Sequence, residues 1–169
     1  MAAEVPEPVI RLAKPSELRV IREIASKTWP ETYAAIISEE QISYMLETMY
    51  SIKALRKQAE EGIQFLIANF NHLPGGFAAY SSASISGIYR IQKLYVLPQL
   101  QRKGFGKKMI DFMMKEAKKN GATSLQLNVN RVNNARIFYE KLGFKVLREE
   151  DIDIGHHYFM NDFVMEKLI

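Results

Sequence analysis

Beyond the middle of the chain, apolar residues recur at Phe105, Met109, Phe112, Met113 and Ala117, which places them on one face of a helix. Lys108, Lys115, Lys118 and Lys119 lie largely off that face. Just before it, the apolar run Leu94-Tyr95-Val96-Leu97 stops at Pro98 and gives way to Gln101-Arg102-Lys103-Gly104-Phe105-Gly106-Lys107. The pattern predicts a strand, a basic glycine loop and a helix that begins near Gly104.

The same reading orders the rest of the chain. Val9-Ile10-Arg11-Leu12 reads as a first strand. Pro15 and Ser16 open a helix with Ser16 as N-cap, Leu18, Ile21, Ile24 and Ala25 as its buried stripe, and Trp29-Pro30 as its end. After a connection from Pro30 to Tyr33, Ser38 and Gln41 mark a second capped start, with Ile42, Met45, Leu46 and Met49 on the apolar face. A third helix runs from about Ser51 through Ala54, Leu55 and Ala59 to Gly62. Gln64 to Ala68 is a strand, Asn69 to Gly76 a hairpin loop, and Gly76 to Ser81 its partner. Ser86-Gly87 turns the chain into a long strand, Ile88 to Val96.

Past the main helix, Asn120-Gly121 signals a stop, and Leu125, Leu127 and Val129 alternate with Gln126 and Asn128 in a further strand. Ala135, Phe138 and Leu142 line a short helix closed by Gly143. Phe144 to Leu147 and Tyr158 to Met165 are the last strands, joined across Asp151 to His157. An antiparallel meander followed by a crossover helix predicts an α/β fold with a mixed, mostly antiparallel central sheet of about six or seven strands flanked by helices.

At 169 residues the chain is expected to form one domain over 1–169. It has no cysteine, which excludes disulfides and thiolate metal sites. Met1 to Pro8 carries Glu4 and Glu7 without an apolar core, so no signal peptide is expected, and no apolar run is long enough to span a bilayer. A cytoplasmic protein without membrane contact is the default. The net charge of +4 suits a polyanionic small molecule and does not call for nucleic acid, because the basic residues cluster at one loop and helix without interleaved aromatics. His156-His157 would point to opposite faces of a strand, so no metal site is expected.

The glycine loop carries the chemistry. The first N–H groups of a helix have no partner within it and bear the positive end of its dipole. Glycine at Gly104 and Gly106 leaves those groups open to an anion, and Arg102, Lys103, Lys107 and Lys108 add charge around the same point. A diphosphate is the expected guest. The spacing is not that of a P-loop, and Met109 stands where a dinucleotide fold requires its third glycine. An ordinary strand-to-helix turn with solvated lysines is the plain alternative.

Gln101-x-x-Gly104-x-Gly106 after Leu94-Tyr95-Val96-x-Pro98 resembles motif A of the Gcn5-related N-acetyltransferases, whose loop binds the pyrophosphate of acetyl-CoA. Asn133-Asn134-Ala135-Arg136-Ile137-Phe138-Tyr139-Glu140-Lys141-Leu142-Gly143-Phe144 is similar to motif B of that family. Both motifs in that order are far more specific than either alone, and the resemblance spans roughly Gly76 to Leu168.

The resemblance implies an acetyl-CoA-dependent N-acetyltransferase in which the acceptor amine attacks the thioester directly in a ternary complex. It implies that the strands carrying Leu94 to Val96 and Leu125 to Val129 run parallel and splay apart. The pantetheine arm then pairs with backbone at Leu94 and Val96, and N–H groups near Tyr95 and Val96 face the thioester oxygen. Cofactor-binding residues by this resemblance are Leu94, Tyr95, Val96, Gln101, Arg102, Lys103, Gly104, Phe105, Gly106 and Lys107, with Asn133 and Asn134 at the second helix start.

Tyr139 stands where the family's acid sits and would protonate the departing thiolate; a buried Phe138-Tyr139 pair is the competing reading. The helices before the sheet would face the acceptor, which makes Glu31 and Tyr33, then Trp29 and Tyr44, pocket residues.

One departure stands out. Ribosomal-protein alanine acetyltransferases, a related branch, carry a glutamate base at the place of Asn128, and asparagine cannot take a proton. Glu31, Asp153, His156 and His157 are the remaining candidates for a base. The acceptor is a small cationic amine or polyamine, or a peptide or protein amine; a homodimer stays open. The missing glutamate also motivates a different class, a non-catalytic acyl-CoA-binding sensor or interaction module.

Overall fold

The computed structural model describes residues 6–169, so Glu4 lies outside the described residues. Seven strands form a single sheet: β1 Val9–Leu12, β2 Gln64–Phe70, β3 Leu73–Ser82, β4 Ile88–Val96, β5 Ser124–Asn130, β6 Lys145–Gly155 and β7 Tyr158–Leu168. Their order is β1-β2-β3-β4-β5-β7-β6. Among the described residues only β4 and β5 run parallel, because α4, Phe105–Lys119, carries the chain back between them. The other helices are α1 Leu18–Tyr33, α2 Glu39–Tyr50, α3 Ile52–Glu60 and α5 Ala135–Lys141. No helix among the described residues is long and apolar enough to cross a membrane.

Side chains alternate across a strand, and here each face meets helices. Leu66, Ala68, Ala78 and Tyr80 pack beneath Met109, Ile110 and Met113 of α4 and beside Tyr139 of α5. Phe65, Phe77 and Ala79 point the other way, into a core built with Ile21, Ile24, Trp29, Met45 and Leu55 from α1 to α3.

The parallel pairing is short. It begins at Ile88 and Ser124 and ends at Ile91 and Leu127. There the register of β4 shifts: Ala79 faces Lys93 while Tyr80 faces Ile91, so Gln92 is an extra residue. A bulge of this kind bends its strand. Beyond it β4 follows β3, whereas Asn128, Val129 and Asn130 pair with β7. The two strands part, as the sequence resemblance implies.

Several local expectations give way to tertiary packing. Pro30 lies inside α1 and does not end it. Proline there forfeits one helix bond, at about 3 kcal/mol. Trp29 and Tyr33, four apart and both buried, share one face across that point, and their burial offsets the loss. The stretch Pro30 to Tyr33 is therefore helix and not a connection.

Ser16 is no N-cap; it sits in a 3₁₀ turn, Pro15–Glu17, where Glu17 accepts from the Lys14 N–H at 3.0 Å and pairs with Arg11 at 2.7 Å. The cap at Ser38 does form, accepting the Gln41 N–H at 3.1 Å, and Ser51 caps the next helix in the same way, accepting the Ala54 N–H at 3.2 Å. The side chain of Gln41 does not reach back to close a capping box; it donates to the Phe159 carbonyl at 3.2 Å.

Both expected loops collapse into two-residue turns. Asn71 and His72, with φ of 48° and 65°, join β2 directly to β3, and His156 and His157, with φ of 51° and 62°, join β6 to β7. Two successive left-handed residues match the twist of a hairpin. The histidine pair is thus the turn itself, and Asp151 and Asp153 lie on β6.

Leu66 is fully buried in β2 beneath α4. Leu66→Ala is expected to cost about 2–5 kcal/mol, measured by urea unfolding, with an unchanged slope if the denatured state is unaffected.

Candidate active site

The geometry starts at Gly104, the residue before α4, whose φ of +84° is a left-handed conformation that glycine adopts without strain. A Cβ there would meet nothing within 4 Å, so the approach to the helix start is open. Gly106 has a different reason. A Cβ on it would come 2.9 Å from Phe138 Cζ, so this glycine lets α5 pack against α4.

From this loop a cleft of about 1150 Å³ runs through the parting of β4 and β5 to α1. Gln101, Arg102, Gly104, Phe105, Gly106 and Lys107 line its loop end. Leu94, Tyr95 and Val96 form one wall, and Asn133, Asn134 and Tyr139 the opposite one. Tyr33 closes the far end. Of the residues expected at the site, Lys103 and Glu31 are exposed and do not line the cleft.

Each wall has an internal support. Gln101 donates from Nε2 to the Val96 carbonyl at 3.2 Å and ties the loop to the strand. Asn133 accepts the Ala135 N–H on Oδ1 at 2.9 Å just ahead of α5, while Asn134, in the N-cap position, makes no side-chain cap bond. Tyr139 is 8% exposed, with its ring 5.2 Å from that of Phe138. It is both a packed aromatic and a cleft residue. Burial raises its phenol well above the ordinary value, so it stays protonated.

The α1 end is aromatic. The Tyr33 and Tyr95 hydroxyls share a hydrogen bond of 3.0 Å, and Trp29 stacks on Tyr33 with centroids 4.5 Å apart. Trp29 is 2% exposed and belongs to the core. Tyr44 donates to the Ile154 carbonyl at 2.7 Å and docks the β6–β7 hairpin on α2. Desolvation keeps Tyr33 and Tyr95 protonated.

None of the bases suggested by sequence reaches the cleft. Asp153 accepts the Gly155 N–H at 2.9 Å, and His156 packs edge-to-face against Tyr44 with centroids 4.6 Å apart, both at the hairpin end. Asn128 does line the cleft, and it is held on three sides. Its Oδ1 accepts from Arg90, and its Nδ2 faces Asp162 Oδ2 at 3.3 Å and Glu150 Oε2 at 3.5 Å. A glutamate in its place would confront two carboxylates.

Two buried ionisable residues escaped the sequence reading. Asp162, across from Asn130 on β7, is 5% exposed and has no partner for Oδ1; burial raises its carboxyl above the ordinary value. Lys93 is 7% exposed, lines the cleft, and lies with Nζ 4.7 Å from the centre of the Tyr50 ring. Strict alternation from Ile91 would turn Lys93 toward α4. The bulge at Gln92 reverses that and delivers it to the α1–α3 face.

Comparison with known proteins places this geometry. Residues 33–160 match the acetyltransferase (GNAT) domain. The chain is 34% identical over 164 residues to a spermidine N(1)-acetyltransferase of Thermoplasma acidophilum, covering 94% of this chain and 95% of that protein. It is 36% identical over 64 residues to the ribosomal protein bS18-alanine N-acetyltransferase of Haemophilus influenzae, covering 38% of this chain and 40% of that one. The crystal structure of the PaiA N-acetyltransferase from Thermoplasma acidophilum in complex with coenzyme A superposes with a TM-score of 0.80 at 33% identity, covering 96% and 99% of the two chains.

Burial brings Lys93 down to about 8. Below that value both folded and unfolded chains carry the ammonium, and the fold bears the full cost of burying it. Between about 8 and 10.5 the folded state sheds its proton first and the cost fades. Lys93→Met is therefore expected to stabilise the protein by about 3 kcal/mol at neutral pH. The gain should shrink as the pH of the unfolding titration rises past 8.

Proposed function

The chain belongs to the Gcn5-related N-acetyltransferase family, and on that premise we propose that it acetylates a small cationic amine of the polyamine class at a primary amino group. Acetyl-CoA is the donor and supplies the acetyl thioester. The observation that carries the reading is the parting of β4 from β5 beyond Ile91 and Leu127, which opens a strand edge between the glycine loop and Tyr139.

The residues present fit coenzyme A. The open Cβ position at Gly104 leaves room at the free N–H groups of α4, and Arg102 and Lys107 bring positive charge for the diphosphate. Leu94 and Val96 turn their backbone groups away from β3 with no strand partner there, so an extended arm can add as a strand. Asn134 is the side chain free to bond it. Lys103, exposed outside the cleft, contributes charge only at a distance. Tyr139 Oη holds a proton at neutral pH and is the group that gives it to a departing thiolate.

Full-length similarity to a spermidine N(1)-acetyltransferase supports the polyamine class over a peptide amino terminus, since similarity to the bS18-alanine enzyme covers 38% of this chain.

Thermal-shift titration should show stabilisation by acetyl-CoA and CoA and none by NAD or ATP, with Gly104→Glu abolishing it. Thiol release with spermidine should exceed that with an alanine-terminated peptide by tenfold or more in kcat/KM, and Tyr139→Phe should lower kcat about 10²-fold. Preference for the peptide would overturn the acceptor class.

A further inference from the structure

An ammonium group taken out of water without a counter-charge is costly, and it is relieved by pairing or by loss of the proton. Lys93 is in that position. From α2 the Tyr50 ring covers its Nζ at 4.7 Å. From α1 and from β4 itself, Tyr33 and Tyr95 present phenols that burial keeps protonated. From β3 it is faced by Ala79. The charged groups sharing the cleft are cations, Arg102, Lys107 and Lys141. No carboxylate offsets the burial of Lys93 among the described residues.

We propose that Lys93 is the general base of the acetyl transfer, its Nζ taking a proton from the ammonium nitrogen of the acceptor before attack. The inference rests on the amine-acetylating reading above. The proton passes to Nζ, the N–H electron pair stays on the acceptor nitrogen as the lone pair that attacks, and the Lys93 ammonium returns its proton to water in the open cleft.

Three observations support the assignment. Lys93 borders the residues Leu94 to Val96 that form the cleft wall, whereas Glu31, Asp153 and the histidine turn stand outside it. With burial bringing it to about 8, a useful fraction is neutral near physiological pH, the form a base requires. The match also survives closure of the site, because desolvation lowers the pKa of an amine base and of an amine acceptor together. A neutral Lys93 does not repel a cationic acceptor, as a permanent charge in the same cleft would.

Asp162 is the rival. Its Oδ1 is unpartnered, yet the residue does not line the cleft; Asn128, which does, holds its other oxygen.

The test uses full-length protein, spermidine and acetyl-CoA, with kcat measured from pH 6 to 10. Wild-type kcat should climb with pH and bend at about 8 or below, since closure of the site lowers the value further. Lys93→Met should lower kcat by about 10²–10⁴-fold, leave the KM for acetyl-CoA unchanged and erase the bend; Lys93→Arg, a cation that cannot act as a base, should not rescue it. In protein labelled with 13C at lysine Cε, the resonance missing from Lys93→Met should titrate near 8, a readout independent of turnover.

A Lys93→Met kcat within threefold of wild type would overturn the proposal. So would a bend that survives in Lys93→Met and vanishes in Asp162→Asn, or a Lys93 resonance titrating at the ordinary 10.5. Absence of thiol release from wild type with every amine tried would instead overturn the acetyltransferase reading beneath it.

Discussion

Two parallel strands stay paired only while their registers agree, and in this chain agreement ends at Ile91 and Leu127. The extra residue Gln92 is the physical cause. It keeps the second half of β4 bonded to β3 while β5 keeps its bonds to β7, so neither strand loses its place in the sheet. What opens is a strip of backbone edge with α4's start at one end and α1 at the other. An unpaired interior edge is normally a liability; here it is the surface on which an extended ligand can be read. The same extra residue changes which face Lys93 presents, so the cleft and its buried amine have one origin.

The two ends of the cleft are built from opposite principles. At the loop end, free N–H groups, Arg102 and Lys107 supply positive potential in contact with solvent, suited to an anion that keeps part of its hydration. Toward α1, rings replace water. Trp29, Tyr33, Tyr50 and Tyr95 lie with neighbouring centroids 4.5–5.8 Å apart, and their phenols are held neutral by desolvation. A charge that enters this end is poorly screened, which is why the protonation state of a single amine there matters more than the many lysines on the surface.

Asn128 shows how a departure from a related branch becomes structural. Its amide serves Arg90 with its oxygen and Asp162 and Glu150 with its nitrogen. A residue that both accepts and donates is what that junction requires. The carboxylates stand on β6 and β7, where they reach the cleft only through Asn128 and do not enter it. Of the four base candidates taken from sequence, Asp153 serves its own turn, His156 and His157 form the β6–β7 turn, and Glu31 is exposed.

Sequence alone determined the strand–loop–helix unit from Leu94 to Ala117, a mixed, mostly antiparallel sheet of six or seven strands, and the serine cap at Ser38. These follow from spacing and from residue chemistry within a few positions of one another. Tertiary structure decided what depends on distant partners. Pro30 stays helical because Trp29 and Tyr33 are buried across the turn that contains it. The hairpins tighten to Asn71-His72 and His156-His157 because the flanking strands pair to their ends. Gly106 is needed by Phe138 of another helix, a packing reason its place in the loop does not reveal. Lys93 and Asp162 acquire their character by desolvation, which no local pattern encodes: a charge is ordinary or costly according to what the rest of the fold places over it.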